Sequence, residues 1–252
     1  MSSRMIRSFQ GLLLLGLSIF FASKAASGQL TWYINARFVP LTIFGMVFLA
    51  VLAQAVFTEI RRARQHEQEH DPEHDHHHEH DHAPASGSLW VMLIPLAIGI
   101  LIPARPLDSS AFSTKGFSTS APLVSSDSSA RIFETESEER NILDWLKLFN
   151  FEENVTQFNG QSASVIGFVY FDEALETDQF YVSRFVVSCC AADGFAIAMP
   201  VLWGEALTLE QDSWVLVKGS IETVILNESR VPMIVAESVQ SVPAPDQPYL
   251  FP

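Results

Sequence analysis

The chain of 252 residues has a mean hydropathy of +0.19 and a hydrophobic fraction of 48%, but these averages combine two unlike parts. Residues 1–102 carry seven Lys/Arg against eight Asp/Glu, whereas residues 103–252 carry eight against twenty-one. An acidic C-terminal part repels phosphate groups, which argues against nucleic acid as a partner and against close contact with anionic lipid headgroups. The two cysteines, Cys189 and Cys190, are too few for a disulfide framework.

Three apolar runs predict a membrane domain over residues 1–104. The second run, Phe38–Thr58, has 21 residues without a charged side chain, enough to cross about 30 Å of hydrocarbon. The third run, Ser88–Ala104, is shorter and has Pro95 inside it, which membrane helices tolerate. The first run, Gly11–Gly28, follows two arginines and fits either an uncleaved helix, which we favour, or a cleaved signal peptide.

Basic residues flank these runs unequally and predict their orientation. Arg4 and Arg7 precede the first run and the sequence "RRAR" follows the second, whereas the connection between them contains only Arg37. Because Lys and Arg accumulate on the cytoplasmic side, the N-terminus and the end of the second run are expected in the cytoplasm. The third run then leads outward. We therefore expect a multi-pass protein of the inner cell membrane with an extracytoplasmic C-terminal domain, whether or not the first run is cleaved.

Residues 65–82 contain eight His, seven Asp/Glu, two Gln and one Pro. Nothing in this segment can form a core, so we expect a solvated, mobile loop. Imidazole and carboxylate are ligands for Zn²⁺ and other divalent transition metals, and a flexible run without one tetrahedral spacing suits capture and exchange. The alternative is an acidic spacer whose histidines bind nothing. The predicted metal ligands are His66, His70, His74, Asp75, His76, His77, His78, His80, Asp81 and His82.

Residues 105–136 are rich in Ser and predict a linker that is extended or disordered. The C-terminal domain, residues 137–252, is expected to begin with a helix over residues 137–149 that packs on its own domain. The apolar residues of this helix recur at helical spacing, as Ile142, Trp145, Leu146 and Phe149.

Five runs of alternating character then predict β-strands. They are Ser162–Phe171, Gln179–Cys190, Phe195–Trp203, Ser213–Leu226 and Val231–Val242. A short helical connection between the third and fourth strands is typical of an OB-like barrel. Gly167 and Gly219 fall inside strands, where a barrel needs bends or bulges. The fold class expected is three N-terminal transmembrane α-helices followed by a C-terminal all-β, OB-like five-stranded barrel.

The adjacent cysteines leave three interpretations open. Cys189 and Cys190 fit small packing residues, a thiolate metal ligand or redox pair, or a vicinal disulfide in a turn. Asp193 would add a carboxylate or cap the turn. The C-terminal domain contains no histidine, and the chain has neither a P-loop nor a GxGxxG pattern. We therefore do not expect an enzyme, and a redox protein that uses the cysteine pair is the remaining enzymatic alternative.

Several pieces of the sequence together resemble the YcgQ-like family. They are the His/Asp-rich segment after the second run, "LDSSAFSTKGFS" beyond the third, "GFVY", "RFVVSCCAAD" and "DSWVLVKG". The likeness covers nearly the whole chain. Its most specific parts are Leu107–Ser110 with Lys115–Ser118, and Arg184–Phe185 followed by Cys190, Ala192 and Asp193. Cys190 falls on the cysteine typical of the family, whereas Cys189 is more variable.

The YcgQ-like family is described as the smaller subunit of a two-part permease. The resemblance implies a larger multi-spanning permease subunit as partner and no established substrate. We therefore expect an accessory subunit of a bacterial two-part membrane permease, linked to divalent metal handling, with Zn²⁺ the favoured ion. A candidate site in the outer domain comprises Cys190, Asp193 and Arg184. The alternative is a membrane-anchored binding or scaffold protein with an extracytoplasmic β domain and no transport role.

Overall fold

The computed structural model describes residues 3–69, 86–120, 134–173, 175–226 and 228–252. The chain separates into two compact units. The first, here called the helical unit, comprises Met1–Thr31 and Ala36–Arg105, and the second, called the β unit, comprises Trp32–Asn35 and Pro106–Pro252. The short segment at residues 32–35 therefore belongs to the β unit, although helical-unit sequence flanks it on both sides.

The helical unit contains α1 (Ser3–Ala26), α2 (Val39–Glu69) and α3 (Ser86–Leu101). Within the first two, the 22 residues of Met5–Ala26 and the 28 residues of Ala36–Ala63 are long and apolar enough to cross a bilayer. Helix α3 has 16 residues, which span about 24 Å and fall short of the hydrocarbon thickness. Two of the predicted spans thus have suitable helices, and the third span stays a prediction.

Helices α1 and α2 contact each other through small side chains. The hydroxyl of Ser18 donates a hydrogen bond to the main-chain carbonyl of Met46 at 3.0 Å. A Cβ atom on Gly11 would lie 3.0 Å from the ring of Phe57, so the glycine lets that ring approach the α1 main chain. Small residues at a close helix–helix contact are characteristic of packing within a membrane.

The β unit is built on a closed five-stranded barrel. Its strands are β1 (Phe117–Ser118), β2 (Ser162–Tyr170), β3 (Gln179–Val186), β4 (Phe195–Leu202), β5 (Trp214–Leu226), β6 (Ser229–Ser241) and β7 (Tyr249–Leu250). Strand β2 pairs antiparallel with β3 and β5, β3 with β4, and β5 with β6. A parallel pairing of β4 with β6 closes the barrel. The predicted five-stranded barrel is thereby confirmed, and β1 and β7 add short parallel pairings to β4 and β3.

Helix α5 (Ile142–Phe151) packs its apolar face into the barrel core. Asn141 caps it, because its side-chain oxygen accepts from the N–H of Leu143 at 2.9 Å while Asp144 accepts from the Asn141 N–H at 3.1 Å. The cap starts the α-helix five residues later than predicted, after a 3-10 turn at Ser137–Glu139. The four residues that helical spacing predicted, Ile142, Trp145, Leu146 and Phe149, are buried in the core, and Leu143 and Leu148 are buried beside them.

The first part of the predicted linker is folded onto the barrel. A 3-10 turn at Ser109–Ala111 leads into α4 (Phe112–Lys115) and then into β1. The Ser109 N–H and hydroxyl both donate to the carboxylate of Asp212, each at 2.8 Å. Phe112 is 7% exposed and its ring contacts the rings of Phe168 and Phe185. Buried aromatic side chains therefore anchor a Ser-rich stretch that reads as a linker, and residues 121–133 lie outside the described residues.

Candidate functional site

After β3 the chain makes a turn at residues 188–194, which we call the Cys turn. The carboxylate of Asp193 organises it by accepting three main-chain N–H groups. One oxygen accepts from Cys189 at 2.7 Å, and the other accepts from Ser188 at 3.2 Å and Cys190 at 3.4 Å. Because these bonds fold the main chain back on itself, the strand ends before the cysteines. The predicted continuation of the second strand to Cys190 is therefore wrong.

The Cys turn presents two free thiols at the surface. Cys189 is exposed, Cys190 is half-buried, and their sulfur atoms lie 3.7 Å apart, well beyond the roughly 2.05 Å of a disulfide. Both thiols are therefore close together and accessible in this arrangement. The potential ligand atoms of Cys189, Cys190 and Asp193 all lie within 4.8 Å of one another. The turn thus brings together two of the predicted site residues and adds Cys189 to them.

The two thiols have opposite electrostatic surroundings. Hydrogen bonds from the N–H of Ala192, the thiol of Cys189 and the N–H of Asp193 lower the pKa of Cys190. Hydrogen bonding to Asp193 and to Cys190 raises the pKa of Cys189 to about 11. For Asp193, burial raises the pKa, but the hydrogen bonds from Cys189 and the main chain outweigh it and lower the pKa overall. Cys190 is therefore the readier thiolate, and Cys189 is a thiol that donates toward its neighbours.

Alkylation should expose this difference. Because the thiolate is the nucleophile and each pKa unit changes its population about tenfold, we expect iodoacetamide to modify Cys190 at least about ten times faster than Cys189 near neutral pH. The measurement is the alkylation rate of the full chain in its Cys189→Ser and Cys190→Ser variants, followed by mass spectrometry. Equal rates in the two variants would contradict the difference in pKa between the two thiols.

The Cys turn is bonded to the segment at residues 32–35, which joins α1 to α2 in the sequence. Ile34 forms an antiparallel bridge with Cys190, supported by two main-chain hydrogen bonds at 2.7 and 3.0 Å. The side-chain amide of Asn35, which is 6% exposed, donates to the carbonyl of Ser188 at 3.0 Å. Local sequence patterns give no sign of this contact, because the bonded residues are about 150 positions apart in the chain.

Segments that carry the family resemblance form hydrogen bonds with the Cys turn or with residues that contact residues 32–35. The hydroxyl of Tyr249 donates to the carbonyl of Trp32 at 3.0 Å and accepts from the N–H of Leu107 at 2.9 Å. The ammonium of Lys115 donates to the carbonyl of Ala192 at 2.8 Å. The "LDSS" and "STKGFS" segments that carry the family resemblance therefore support the Cys turn and the residues bound to it.

Arg184 occupies a different place from the other predicted site residues. Its side chain is 7% exposed and its guanidinium lies over the ring of Trp214, 5.1 Å from the centroid. Burial lowers its pKa to about 10. Its nitrogen atoms donate at 2.9–3.2 Å to the main-chain carbonyls of Ile166, Gln247 and Pro248. These bonds join the C-terminal segment to the barrel, and the structure does not bring Arg184 into the group of ligand atoms at the Cys turn.

The predicted metal ligands of the histidine segment fall mostly outside the described residues. These are His70, His74, Asp75, His76, His77, His78, His80, Asp81 and His82. His66 lies in α2, which runs past the predicted end of the apolar run at Thr58 and continues to Glu69. The sequence "RRARQHEQE" explains the extension, because Arg, Ala, Gln and Glu favour helix. The start of the predicted loop is therefore helical.

Two long apolar helices and a closed β-barrel define the class: a protein with candidate membrane helices and a C-terminal domain built on a five-stranded β-barrel. Comparison with known proteins gives the family. The chain belongs to the DUF1980 family, since the DUF1980 N-terminal domain matches residues 9–118 and the DUF1980 C-terminal domain matches residues 120–252. It is 30% identical over 284 residues to UPF0703 protein YcgQ of Bacillus subtilis (strain 168), covering 96% of this chain and 99% of that protein. No solved structure matches the chain. The resemblance to the YcgQ-like family is thereby confirmed.

Proposed function

We propose that this protein is an accessory subunit of a two-part bacterial membrane permease that handles a divalent metal ion, most suitably Zn²⁺. Its partner would be a larger multi-spanning subunit. The observation that carries this proposal is the bonding of residues 32–35 to the Cys turn. A ligand bound at the turn would act directly on the segment that joins α1 to α2, which is how a small subunit can couple binding outside the bilayer to its membrane helices.

The same bonding supports an extracytoplasmic β unit. If α1 and α2 cross the bilayer, the β unit must lie on the side where residues 32–35 emerge. Arg4 and Arg7 before α1, and Arg61 and Arg62 near the end of α2, favour the cytoplasmic side for those two ends. The connection between the helices then lies outside. Helix α3 would return the chain as a third span, with local thinning of the bilayer compensating for its length.

The surface of α2 supports a place within the membrane beside a partner. Exposed large apolar side chains follow this helix, and they include Leu41, Phe44, Val47, Phe48 and Val51. Lipid or the helices of a larger subunit would cover them. The apolar run Phe38–Thr58 contains no ionisable side chain that would mark an ion route. An accessory role therefore suits these helices better than a pathway of their own.

The β unit supports an OB-like assignment with a site on a loop. The barrel order β2–β3–β4–β6–β5, closed by pairing of β5 with β2 and containing the parallel pair β4–β6, is the arrangement expected of that fold. The Cys turn joins two of its strands. On the other side of the bilayer, the histidine segment at residues 65–82 would gather the metal ion. Potential metal ligands would then lie on both sides of the membrane, in the histidine segment and in the Cys turn.

A complementation experiment tests the proposal. A strain lacking the gene is given the full chain, or a variant in which the eight histidines of residues 65–82 are replaced by Asn. The matched control replaces the acidic residues of the same segment by Asn or Gln and keeps the histidines. We expect loss of the gene to change cellular zinc, the histidine variant to fail to restore it, and the control to restore it at least in part.

Co-purification provides the second readout of the proposed function. A tagged full chain should bring down the multi-spanning product of a neighbouring gene from detergent-solubilised membranes, and the histidine variant should do so equally well. Unchanged cellular zinc in the deletion strain, together with a chain that purifies without such a protein, would overturn the proposal and favour a scaffold role.

A further inference from the structure

We propose that Cys189, Cys190 and Asp193 bind one Zn²⁺ ion at the surface of the β unit, through two thiolates and one carboxylate oxygen. These residues are separate from the histidine segment in the sequence. The role of the site in metal handling, as a place where the ion binds temporarily, rests on the proposed function. The fourth position of the ion is left open to water or to a ligand from another molecule.

The distance between the sulfur atoms fits a shared zinc ion. With zinc–sulfur bonds of about 2.3 Å and tetrahedral angles, two thiolates on one zinc ion lie about 3.8 Å apart. The sulfur atoms of Cys189 and Cys190 lie 3.7 Å apart. A disulfide would need an approach to about 2.05 Å, and its usual Cα separation of at least about 4.4 Å exceeds the roughly 3.8 Å between adjacent residues. Metal binding therefore requires far less movement of this turn than oxidation does.

Asp193 supplies an oriented third donor. Its two oxygens accept three main-chain N–H groups within the turn, which fix the carboxylate beside both sulfurs. A carboxylate offers about four lone-pair positions, and the fourth, toward which the Cys189 thiol donates, becomes free for a metal ion when that thiol loses its proton. Hydrogen bonds to a ligating carboxylate are the usual way in which proteins orient it. The bonds that shape the turn therefore also present an oxygen toward the thiols.

The binding step balances in protons and charge. Zinc forms two bonds to sulfur and one to oxygen, and protons held by the thiols are released to water. Two thiolates and a carboxylate carry three negative charges, so the occupied site carries one. Residues 103–252 contain twenty-one Asp/Glu against eight Lys/Arg, which raises the local concentration of cations around the site.

Exposure of the donors indicates an exchange site rather than a structural one. Structural zinc sites are closed by four protein ligands, whereas an open position lets another ligand attach. Here three donors come from one turn, Cys189 and Asp193 are exposed and Cys190 is half-buried. The turn is also bonded to the segment at residues 32–35. The geometry suits an ion that is taken up and passed on next to the connection between α1 and α2.

Cobalt spectroscopy of the full chain in detergent tests this site directly. Thiolate ligands give Co²⁺ a near-ultraviolet charge-transfer absorption that imidazole and carboxylate ligands do not, so Co²⁺ held by the histidine segment does not contribute to it. Because that segment competes for the ion, Co²⁺ is added until both sites are filled. We expect the absorption to saturate at one thiolate-bound Co²⁺ per chain and Zn²⁺ to abolish it. The Cys189→Ser and Cys190→Ser variants should each lose at least half of it, and the double variant all of it.

Matched controls separate ligation from folding. Asp193→Asn should weaken binding by roughly tenfold or more while the thiolate absorption persists at saturating metal. Asp212→Asn changes a carboxylate that binds Ser109 instead, and should leave the absorption and affinity unchanged. Far-ultraviolet circular dichroism checks that each variant retains the barrel. No absorption in the parent chain, or an absorption that survives the double cysteine variant, would overturn the site.

Failure of the zinc site can be distinguished from failure of the proposed permease function. The cobalt experiment needs neither the partner nor a cell, and replacement of the eight histidines should leave the thiolate absorption intact. A normal absorption with no effect of gene loss on cellular zinc would refute the permease role and keep the site. Absence of the absorption with a clear zinc phenotype would refute the site and keep the role.

Discussion

Gly219→Ala is expected to destabilise the β unit by about 3 kcal/mol, the upper end of the usual range for overpacked cores. A Cβ atom on Gly219 would lie 2.1 Å from the main-chain oxygen of Val235 and 2.8 Å from the Cα of Ala236. Both atoms belong to the main chain of β6, so no rotation of a side chain can relieve the overlap. The register of β5 and β6 shifts between Lys218 and Gly219, and this irregularity allows the close approach.

Urea denaturation of the full chain in detergent, followed by tryptophan fluorescence, measures the effect as a lower transition midpoint. Gly204→Ala is the matched control, because a Cβ atom there meets nothing within 4 Å, and it should change the free energy of unfolding by less than about 0.5 kcal/mol. If the two variants unfold at the same midpoint, the close approach of β5 and β6 does not exist as described.

The strands could be predicted because their signals are local. Alternation of apolar and polar side chains identified all five barrel strands, four of them to within about two residues at each end. Glycines inside strands predicted bends, and both are places where the main chain of another strand comes close. A Cβ atom on Gly167 would lie 2.6 Å from the carbonyl oxygen of Ser183. Helical spacing likewise identified the buried face of α5, because residues three or four positions apart lie on the same face of a helix.

The parts that could not be predicted depend on contacts between distant residues. Phe112 belongs to a Ser-rich stretch that is folded because of distant partners, among them the rings of Phe168 and Phe185. Residues 32–35 read as a short connection between apolar runs, and their hydrogen bonds to the Cys turn cross about 150 positions of sequence. Composition and periodicity carry no information about such partners.

The candidate site could be predicted only where its residues are close together in the sequence. Cys190 and Asp193 are three residues apart, so a turn of the chain is enough to bring them together, and the sequence predicts both. Cys189 was read as the more variable cysteine, although it donates toward both of its neighbours. Arg184 is predicted as a site residue because it begins one of the segments that carry the family resemblance. The carbonyls that accept hydrogen bonds from its guanidinium come mainly from the C-terminal segment, more than 60 positions away in the sequence.

Arg184→Met is expected to destabilise the β unit by about 3 kcal/mol and to loosen its C-terminal segment. Hydrogen bonds to a charged group contribute about 1.5–3 kcal/mol each, and three carbonyls lose their donor, although the desolvation cost of the buried guanidinium is recovered. Two of those carbonyls directly precede Tyr249, which holds Trp32 and Leu107. The loss should therefore reach the segment at residues 32–35.

Hydrogen exchange and urea denaturation of the full chain together test this chain of contacts. Amide exchange should accelerate at β7 and at Asn35 in Arg184→Met, along with a lower unfolding midpoint. Arg230→Met makes the same chemical change at an exposed position of β6 and should alter the free energy of unfolding by less than about 0.5 kcal/mol. Faster exchange at β7 without any change at Asn35 would show that the C-terminal segment does not hold residues 32–35. Unchanged exchange at both would show that Arg184 does not anchor that segment, and that the parallel pairing of β7 with β3 holds it without the arginine.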